Sequence, residues 1–200
     1  MRLFLALELE PATAGEIHAA VARLRSTSVP PETTDAPHVS DRAMAWVPAH
    51  KLHLTVKFLG DADDARVAAL AAATDRVAAR HRSLDITLAG VGAFPNFRRP
   101  RVVWLGAEGE SQLELLHHDV EVAAADLGYE VEGRPFRPHV TLARVRQPLS
   151  ADQARALARA ARAVTYSAIA FVDRLTLFDS ATGESGAHYR RLHVATLGGR

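Results

Sequence analysis

A five-residue pattern occurs twice in this chain, as Leu52-His53-Leu54-Thr55-Val56 and as Pro138-His139-Val140-Thr141-Leu142. Each copy sets a His and a Thr two residues apart, with apolar residues between and after them. In a β-strand, residues i and i+2 point to the same face. The alternation therefore predicts that His53 and Thr55 project together, with Leu52, Leu54, Val56 and Phe58 entering a core. The second copy predicts His139 and Thr141 on one face and Phe136, Val140 and Leu142 on the other. If the two strands meet across a cleft, two imidazoles and two hydroxyls converge on it. Such a set suits phosphoryl chemistry by acid and base, without a metal.

The segments around each copy follow one order. Arg2–Leu7 is expected to be a buried strand, followed by a helix from about Pro11 to Arg25 with Ile17, Val21 and Leu24 at helical spacing. After the His53 strand comes a helix from Asp61 to about Arg80, opened by the acidic run Gly60-Asp61-Ala62-Asp63-Asp64. A strand over Leu84–Val91 closes the first half. The second half repeats the series: a strand over Arg101–Gly106, then a helix from Glu110 to Leu127 ended by Gly128. The His139 strand, a helix over Ala151–Ala163 capped by Ser150, and a strand over Ile169–Phe178 follow. A final strand over His188–Ala195 returns to the sheets. The first half is longer because of Ser26–Met44, a proline-bearing polar stretch without periodicity, expected to be a flexible surface loop containing a solvated His38.

Composition closes off several classes of function. The chain has 200 residues and no Cys, so disulfides, thiol nucleophiles and Cys-based metal sites are excluded. Its length suits one domain over residues 1–200, or two small lobes sharing an interface, with a core that needs no staples. Glu8 and Glu10 interrupt the N-terminal apolar run, which argues against a signal peptide. No stretch reaches the ~20 apolar residues of a membrane span. A cytoplasmic monomer without membrane contact is expected.

The formal net charge is only +1, so a general polyanion binder is not expected. The placement of charge says more. The only lysines, Lys51 and Lys57, share the His53 face if alternation holds. Arg137 shares the face of His139 and Thr141 if that strand runs through Pro138, where a guanidinium would fork onto phosphate oxygens. Phe94–Arg101 mixes aromatics with arginine and reads either as a proline-bounded turn with solvated charges or as a segment that stacks a base and holds a phosphate. His117 and His118 fall in a predicted helix, where adjacent residues point apart. They are read as surface or partly buried structure, and His18, His50, His81, His188 and His193 as structural or solvated. Neither His-Thr face carries a nearby carboxylate, so no metal and no cofactor is expected.

These features together resemble the 2H phosphoesterase superfamily, named for its two His motifs, and within it the RNA 2′,3′-cyclic phosphodiesterases, also called 2′-5′ RNA ligases. The resemblance runs through Arg2–Leu7, His53-Leu54-Thr55-Val56-Lys57-Phe58-Leu59-Gly60, Pro100–Gly106 and Arg134-Pro135-Phe136-Arg137-Pro138-His139-Val140-Thr141-Leu142-Ala143-Arg144. It extends to the ending with Leu177, Ser180, Gly186, Tyr189 and Leu192. It departs at the long Ser26–Met44 stretch. The resemblance implies an α+β bilobal fold: two antiparallel sheets, backed by helices and related by a pseudo-two-fold, facing a central cleft. It implies an RNA end carrying a 2′,3′-cyclic phosphate as substrate, opened to a 2′-phosphate, with RNA joining as the reverse process.

Opening such a ring needs water deprotonated on one side of phosphorus and the leaving O3′ protonated on the other. Two His do both near neutral pH, and the Thr55 and Thr141 hydroxyls would donate to the non-bridging oxygens. The near-symmetry of the halves leaves the order of the two His open. The resemblance implies His53 as proton donor and His139 as proton acceptor, with Arg137 at the phosphate. Two other readings remain: a related phosphoesterase acting on a small cyclic nucleotide or a 2′-5′ oligoadenylate, and a non-catalytic RNA- or nucleotide-binding module. Intact His and Thr pairs speak against the second.

Overall fold

A computed structural model describes residues 1–28, 43–109, 111–183 and 186–198. Among them the chain forms nine strands and four α-helices. In order these are β1 (Arg2–Glu8), α1 (Pro11–Ser28), β2 (Met44–Trp46), a 3₁₀ turn (Ala49–Lys51), β3 (His53–Asp61), α2 (Asp64–Ala78), β4 (Leu84–Phe94) and β5 (Val102–Glu108). Then follow α3 (Ser111–Ala125), β6 (His139–Val145), α4 (Ala151–Arg162), β7 (Ser167–Val172), β8 (Arg174–Gly183) and β9 (Gly186–Thr196). Most of the Ser26–Met44 stretch, including His38, lies outside the described residues.

All strand pairs are antiparallel, in the order β7-β4-β5-β6-β3-β1-β8-β9, with β2 on β6. The sheet is continuous but nearly divided. Among the described residues its two parts, β7-β4-β5-β6 with β2 and β3-β1-β8-β9, are joined through β3 and β6 at the pair Leu54–Val140. The expected two sheets are these two halves. Each has the same build: a His strand at the inner edge, beside β1 in one and β5 in the other.

The halves of the sheet are not the halves of the sequence. β4, expected to complete the first series, pairs with β5 and β7, whereas β8 returns to β1 and β9 pairs with β8. The expected single strand over Ile169–Phe178 is accordingly two strands, β7 and β8, separated at Asp173. β7 edges one half and β8 lies inside the other. The chain must cross between them, and local strand propensity carries no sign of that crossing.

Helices α2 and α3 lie against the β3-β1-β8-β9 half, while α4 lies against β4 and packs with α1. Each buries the stripe its spacing predicts: Ile17, Val21 and Leu24 on α1, Leu70 and Val77 on α2, Leu113, Leu116 and Val120 on α3, Leu157 on α4. Asp63 caps α2 by accepting from the Arg66 amide, and Ser150 caps α4 in a reciprocal box with Gln153. Gly128, at φ +85°, stands just past α3, where a side chain would be strained. The opposite face of β1 carries Phe4 and Ala6, which with Phe178 form a small second apolar cluster beneath the His53 ring.

Candidate active site

The His strands fall in register about one point. Val140 pairs with Leu54, and both side chains are fully buried. Continuing that antiparallel register one residue each way sets His53 across from Thr141 and Thr55 across from His139. The two imidazoles thus stand diagonally on the same face, with Cα positions roughly 8 Å apart by strand rise and spacing. A hydroxyl stands opposite each. All four residues are partly exposed on one face; of the four, Thr55 and His139 line the cleft, and His53 and Thr141 stand outside its lining.

Each ring is oriented by the same device. His53 Nδ1 lies 2.8 Å from the Lys51 carbonyl and His139 Nδ1 lies 2.7 Å from the Arg137 carbonyl. A carbonyl only accepts, so Nδ1 carries the hydrogen in both rings and Nε2 is left to exchange protons. The ring environments are aromatic. His53 is surrounded by Phe4, Tyr189 and Phe178, with ring centroids at 5.1, 5.2 and 6.1 Å. His139 meets Phe94 edge-on at 5.0 Å and Trp104 at 6.3 Å. Trp104 lies flat over Gly92, where a Cβ would come within 2.1 Å of the indole. Glycine at that position therefore admits the ring that packs toward His139.

Burial holds the pKa of both imidazoles below the usual histidine value. The carbonyl bonds oppose this in each, and the Arg144 charge adds to it in each. His53 and His139 also repel one another as cations. One difference breaks the symmetry. His53 feels the Glu8 carboxylate, which raises its proton affinity. Glu8 is the cross-strand partner of His53 on β1, whereas the partner of His139 on β5 is Gly106.

Strict alternation fails in both His strands, at equivalent places. In β3, Leu5 pairs with Lys57 and Ala6 with Thr55, leaving Val56 unpaired as a bulge. In β6, Val103 pairs with Ala143 and Trp104 with Thr141, leaving Leu142 unpaired. An extra residue reverses the side-chain alternation beyond it. Two expectations are corrected as a result. Phe58 does not enter the core but is 69% exposed at the cleft. Lys57 does not share the His53 face but is buried, with Nζ 2.7 Å from Glu121 Oε2. The bulge in β6 likewise turns Arg144 outward, where its charge reaches both imidazoles. Sequence reasoning missed Arg144, although Phe58 and Arg144 stand at the same distance from their motif His.

The remaining expected residues are placed as follows. Lys51 belongs to the 3₁₀ turn before the strand, and its ammonium donates to the Ala187 carbonyl at 2.8 Å. β6 begins at His139, so Arg137 precedes the strand and does not share its face by alternation; its side chain is exposed and lines the cleft. Phe136 is also outside the strand and stacks on His117, with centroids 4.0 Å apart and planes at 8°. His81 and His193 bind Asp119 and Asp75 away from the motif face. From Phe94–Arg101, the residues Phe94, Pro95, Arg99 and Arg101 reach the cleft, while Phe97 packs against the core.

The cleft is open and encloses about 1420 Å³. Thr55 and His139 are in its wall. Arg66, Arg99, Arg101, Arg134 and Arg137 line it, against the carboxylates of Asp61, Glu121, Glu130 and Glu132, of which Glu121 is paired with Lys57. Positive charge therefore prevails. Among the described residues no group of three or more His, Asp or Glu is placed to hold a metal ion. No helix among them is long and apolar enough to cross a membrane.

Comparison with known proteins points the same way. The sequence profile of the 2′-5′ RNA ligase superfamily matches residues 13–184. An RNA 2′,3′-cyclic phosphodiesterase of Geobacillus stearothermophilus is 38% identical over 56% of this chain and 36% of its own length. One of Aeropyrum pernix is 36% identical over 52% and 58%. The chain thus spans about a third to three-fifths of these curated relatives. The crystal structure of TT0787 of Thermus thermophilus superposes over all of both chains with a TM-score of 0.78 at 26% identity. That of Escherichia coli LigT with 3′-AMP superposes over 98% of this chain and 97% of its own, with a TM-score of 0.67 at 28% identity.

Proposed function

We propose that this chain, which belongs to the 2′-5′ RNA ligase superfamily, opens 2′,3′-cyclic phosphates at RNA ends to give a 2′-phosphate and a free 3′-hydroxyl. The observation that carries this reading is the diagonal pair of imidazoles, each with Nδ1 tied to a backbone carbonyl and Nε2 left over. A displacement at phosphorus needs a base and an acid on opposite sides of the reacting atom, and a diagonal pair supplies them. His139 Nε2 takes a proton from water as the new P–O bond forms. The P–O3′ bond breaks and O3′ takes a proton from His53 Nε2. Thr55 and Thr141 donate to the non-bridging oxygens, where charge grows in the transition state. Arg137 and Arg144 add charge-assisted contacts to the same oxygens. A 5′-hydroxyl in place of water would give a 2′-5′ linkage by the same route.

The asymmetry between the two His supports the assignment of roles. Glu8 favours the protonated form of His53, as an acid requires, and among the described residues no carboxylate does the same for His139. The cleft supports a polymeric substrate. Pockets for small ligands run about 300–1,000 Å³, and this one is larger, lined by five arginines and the exposed ring of Phe58. Arginine and aromatic faces are the means by which single strands are held without sequence preference. We place the protein in the cytoplasm, acting on RNA ends as a monomer.

The test offers purified protein an oligonucleotide ending in 2′,3′-cyclic phosphate, the isolated 2′,3′-cyclic nucleotide and a 2′-5′ oligoadenylate. Faster turnover of the oligonucleotide end, with the phosphate mapped to the 2′ position, is expected. Preference for either small substrate would move the reading to a nucleotide phosphoesterase. A 3′-phosphate product would keep the acid–base pair and reject O3′ as leaving group.

A further inference from the structure

The cleft wall that carries Arg137 has neither helix nor strand. Residues 129–138 lie between the turn that follows α3 and the start of β6, and they are tied to other elements. Two of these ties are made by Lys57 and Glu121, which also bind each other. Lys57 Nζ, turned inward by the β3 bulge, donates to Glu121 Oε2 at 2.7 Å and to the Glu130 carbonyl at 2.9 Å. Glu121 Oε2 also accepts from the Glu132 amide at 3.1 Å. Lys and Glu side chains here are only 4% and 8% exposed. One turn earlier on α3, His117 stacks on Phe136. Immediately beyond, the Arg137 carbonyl accepts from His139 Nδ1 and the Pro138 carbonyl from the Ala107 amide.

A buried ion pair is a poor means of stabilising a fold, since an apolar pair of similar volume does as well or better. What charge adds is direction. Lys57 and Glu121 each hold a backbone group of the same segment while holding each other, so β3, α3 and the segment share one node. We propose that Lys57 and Glu121, with Phe136, are positioning residues: their ties hold residues 129–138 so that Arg137 faces the phosphate and its carbonyl keeps His139 in the Nδ1–H tautomer. The inference rests on the reading of His139 as the base. It links the two motif strands through a residue of one, Lys57, and the ring of the other, His139.

The double variant Lys57→Met with Glu121→Leu removes both charges together and leaves no lone buried ion, but it also removes both grips on the segment. Phe136→Ala removes the stack without touching charge, and decides the matter if the double variant does not melt cooperatively. Two quantities are read: kcat on the cyclic-phosphate oligonucleotide, and the slowly exchanging imidazole N–H signals of His139 and His53 by NMR. Folded variants should lose about 10–100-fold in kcat, the scale set by a misplacement near 1 Å. The His139 Nδ1–H signal should weaken or vanish while that of His53, whose acceptor Lys51 lies off the segment, persists. Wild-type kcat together with an intact His139 signal would overturn the proposal. So would a fall in kcat with that signal unchanged, because the effect would then reach the reaction by another route. If the wild-type protein turns over no cyclic phosphate, the proposed reaction fails, and the two N–H signals still decide the positioning.

Discussion

Glu8 stands directly across β1 from His53, in the place that Gly106 occupies across β5 from His139. Its carboxylate is held there by Thr176, whose hydroxyl donates at 2.6 Å, and by the guanidinium of Arg191. Its own pKa lies below the usual value: burial raises it, and the bonds from Arg191 and Thr176, together with the Arg191 and Arg174 charges, outweigh that. Glu8 is therefore ionised when His53 titrates. Glu8→Gln should move one limb of the pH profile of kcat/KM and leave the other in place. If His53 is the acid, the moved limb is the alkaline one, and it moves to lower pH. Glu8→Asp should restore most of it. Movement of the acidic limb instead would exchange the roles of the two His.

The lowered pKa of both imidazoles has a consequence for stability, and its sign follows from linkage. A His whose folded pKa is depressed binds fewer protons in the folded state than in the unfolded chain. Stability is therefore undiminished above the unfolded value near 6.5 and falls as pH drops through it, until the folded groups also protonate. The urea midpoint of the wild-type protein should decline below about pH 6.5. The decline should be shallower in His53→Gln, which keeps a polar side chain among the rings. An unchanged slope would mean that the aromatic surroundings do not exclude the charged form.

Each threonine offers one hydroxyl. Thr55→Val and Thr141→Val keep the shape of the strand and remove only that donor, and each should lower kcat by about 10²–10³-fold, as loss of one transition-state donor does elsewhere. Neither residue belongs to the core, so melting temperatures should stay close to wild type. Kinetics unchanged in both variants would make the hydroxyls bystanders.

The motif strands, the helices with their caps, and the joining of His and Thr on one face were legible because each depends on periodicity within one segment. What was not legible depends on pairing between segments. Phe58 and Lys57 exchange faces because Val56 is an unpaired residue opposite β1, and nothing in His53–Leu59 alone marks it. The same bulge at Leu142 brings Arg144 to the site. Its clue was present in the alignment of the two motifs, where Arg144 and Phe58 occupy equivalent positions. Glu8 required the register of β1 against β3, and the exchange of β4 for β8 between the halves required the topology. The packing of the His53 ring among Phe4, Phe178 and Tyr189 likewise depends on neighbours from β1, β8 and β9 that the motif does not specify.

The most direct test of the account is the initial rate of cyclic-phosphate opening on an oligonucleotide, in excess chelator, for the wild-type protein, His53→Ala and His139→Ala. The account predicts that chelator leaves the wild-type rate unchanged, because the Glu8 carboxylate beside His53 is already held by Thr176 and Arg191 and no group of three metal-ligating side chains stands among the described residues. It predicts that each Ala variant loses about 10²–10⁴-fold in turnover, the usual worth of a positioned acid or base. His139→Ala should keep its stability within about 1 kcal/mol, and His53→Ala should lose more, since its ring fills an aromatic pocket. Near wild-type turnover in either folded variant would contradict the two-histidine mechanism, and loss of the wild-type rate in chelator with rescue by a divalent ion would contradict its independence of metal.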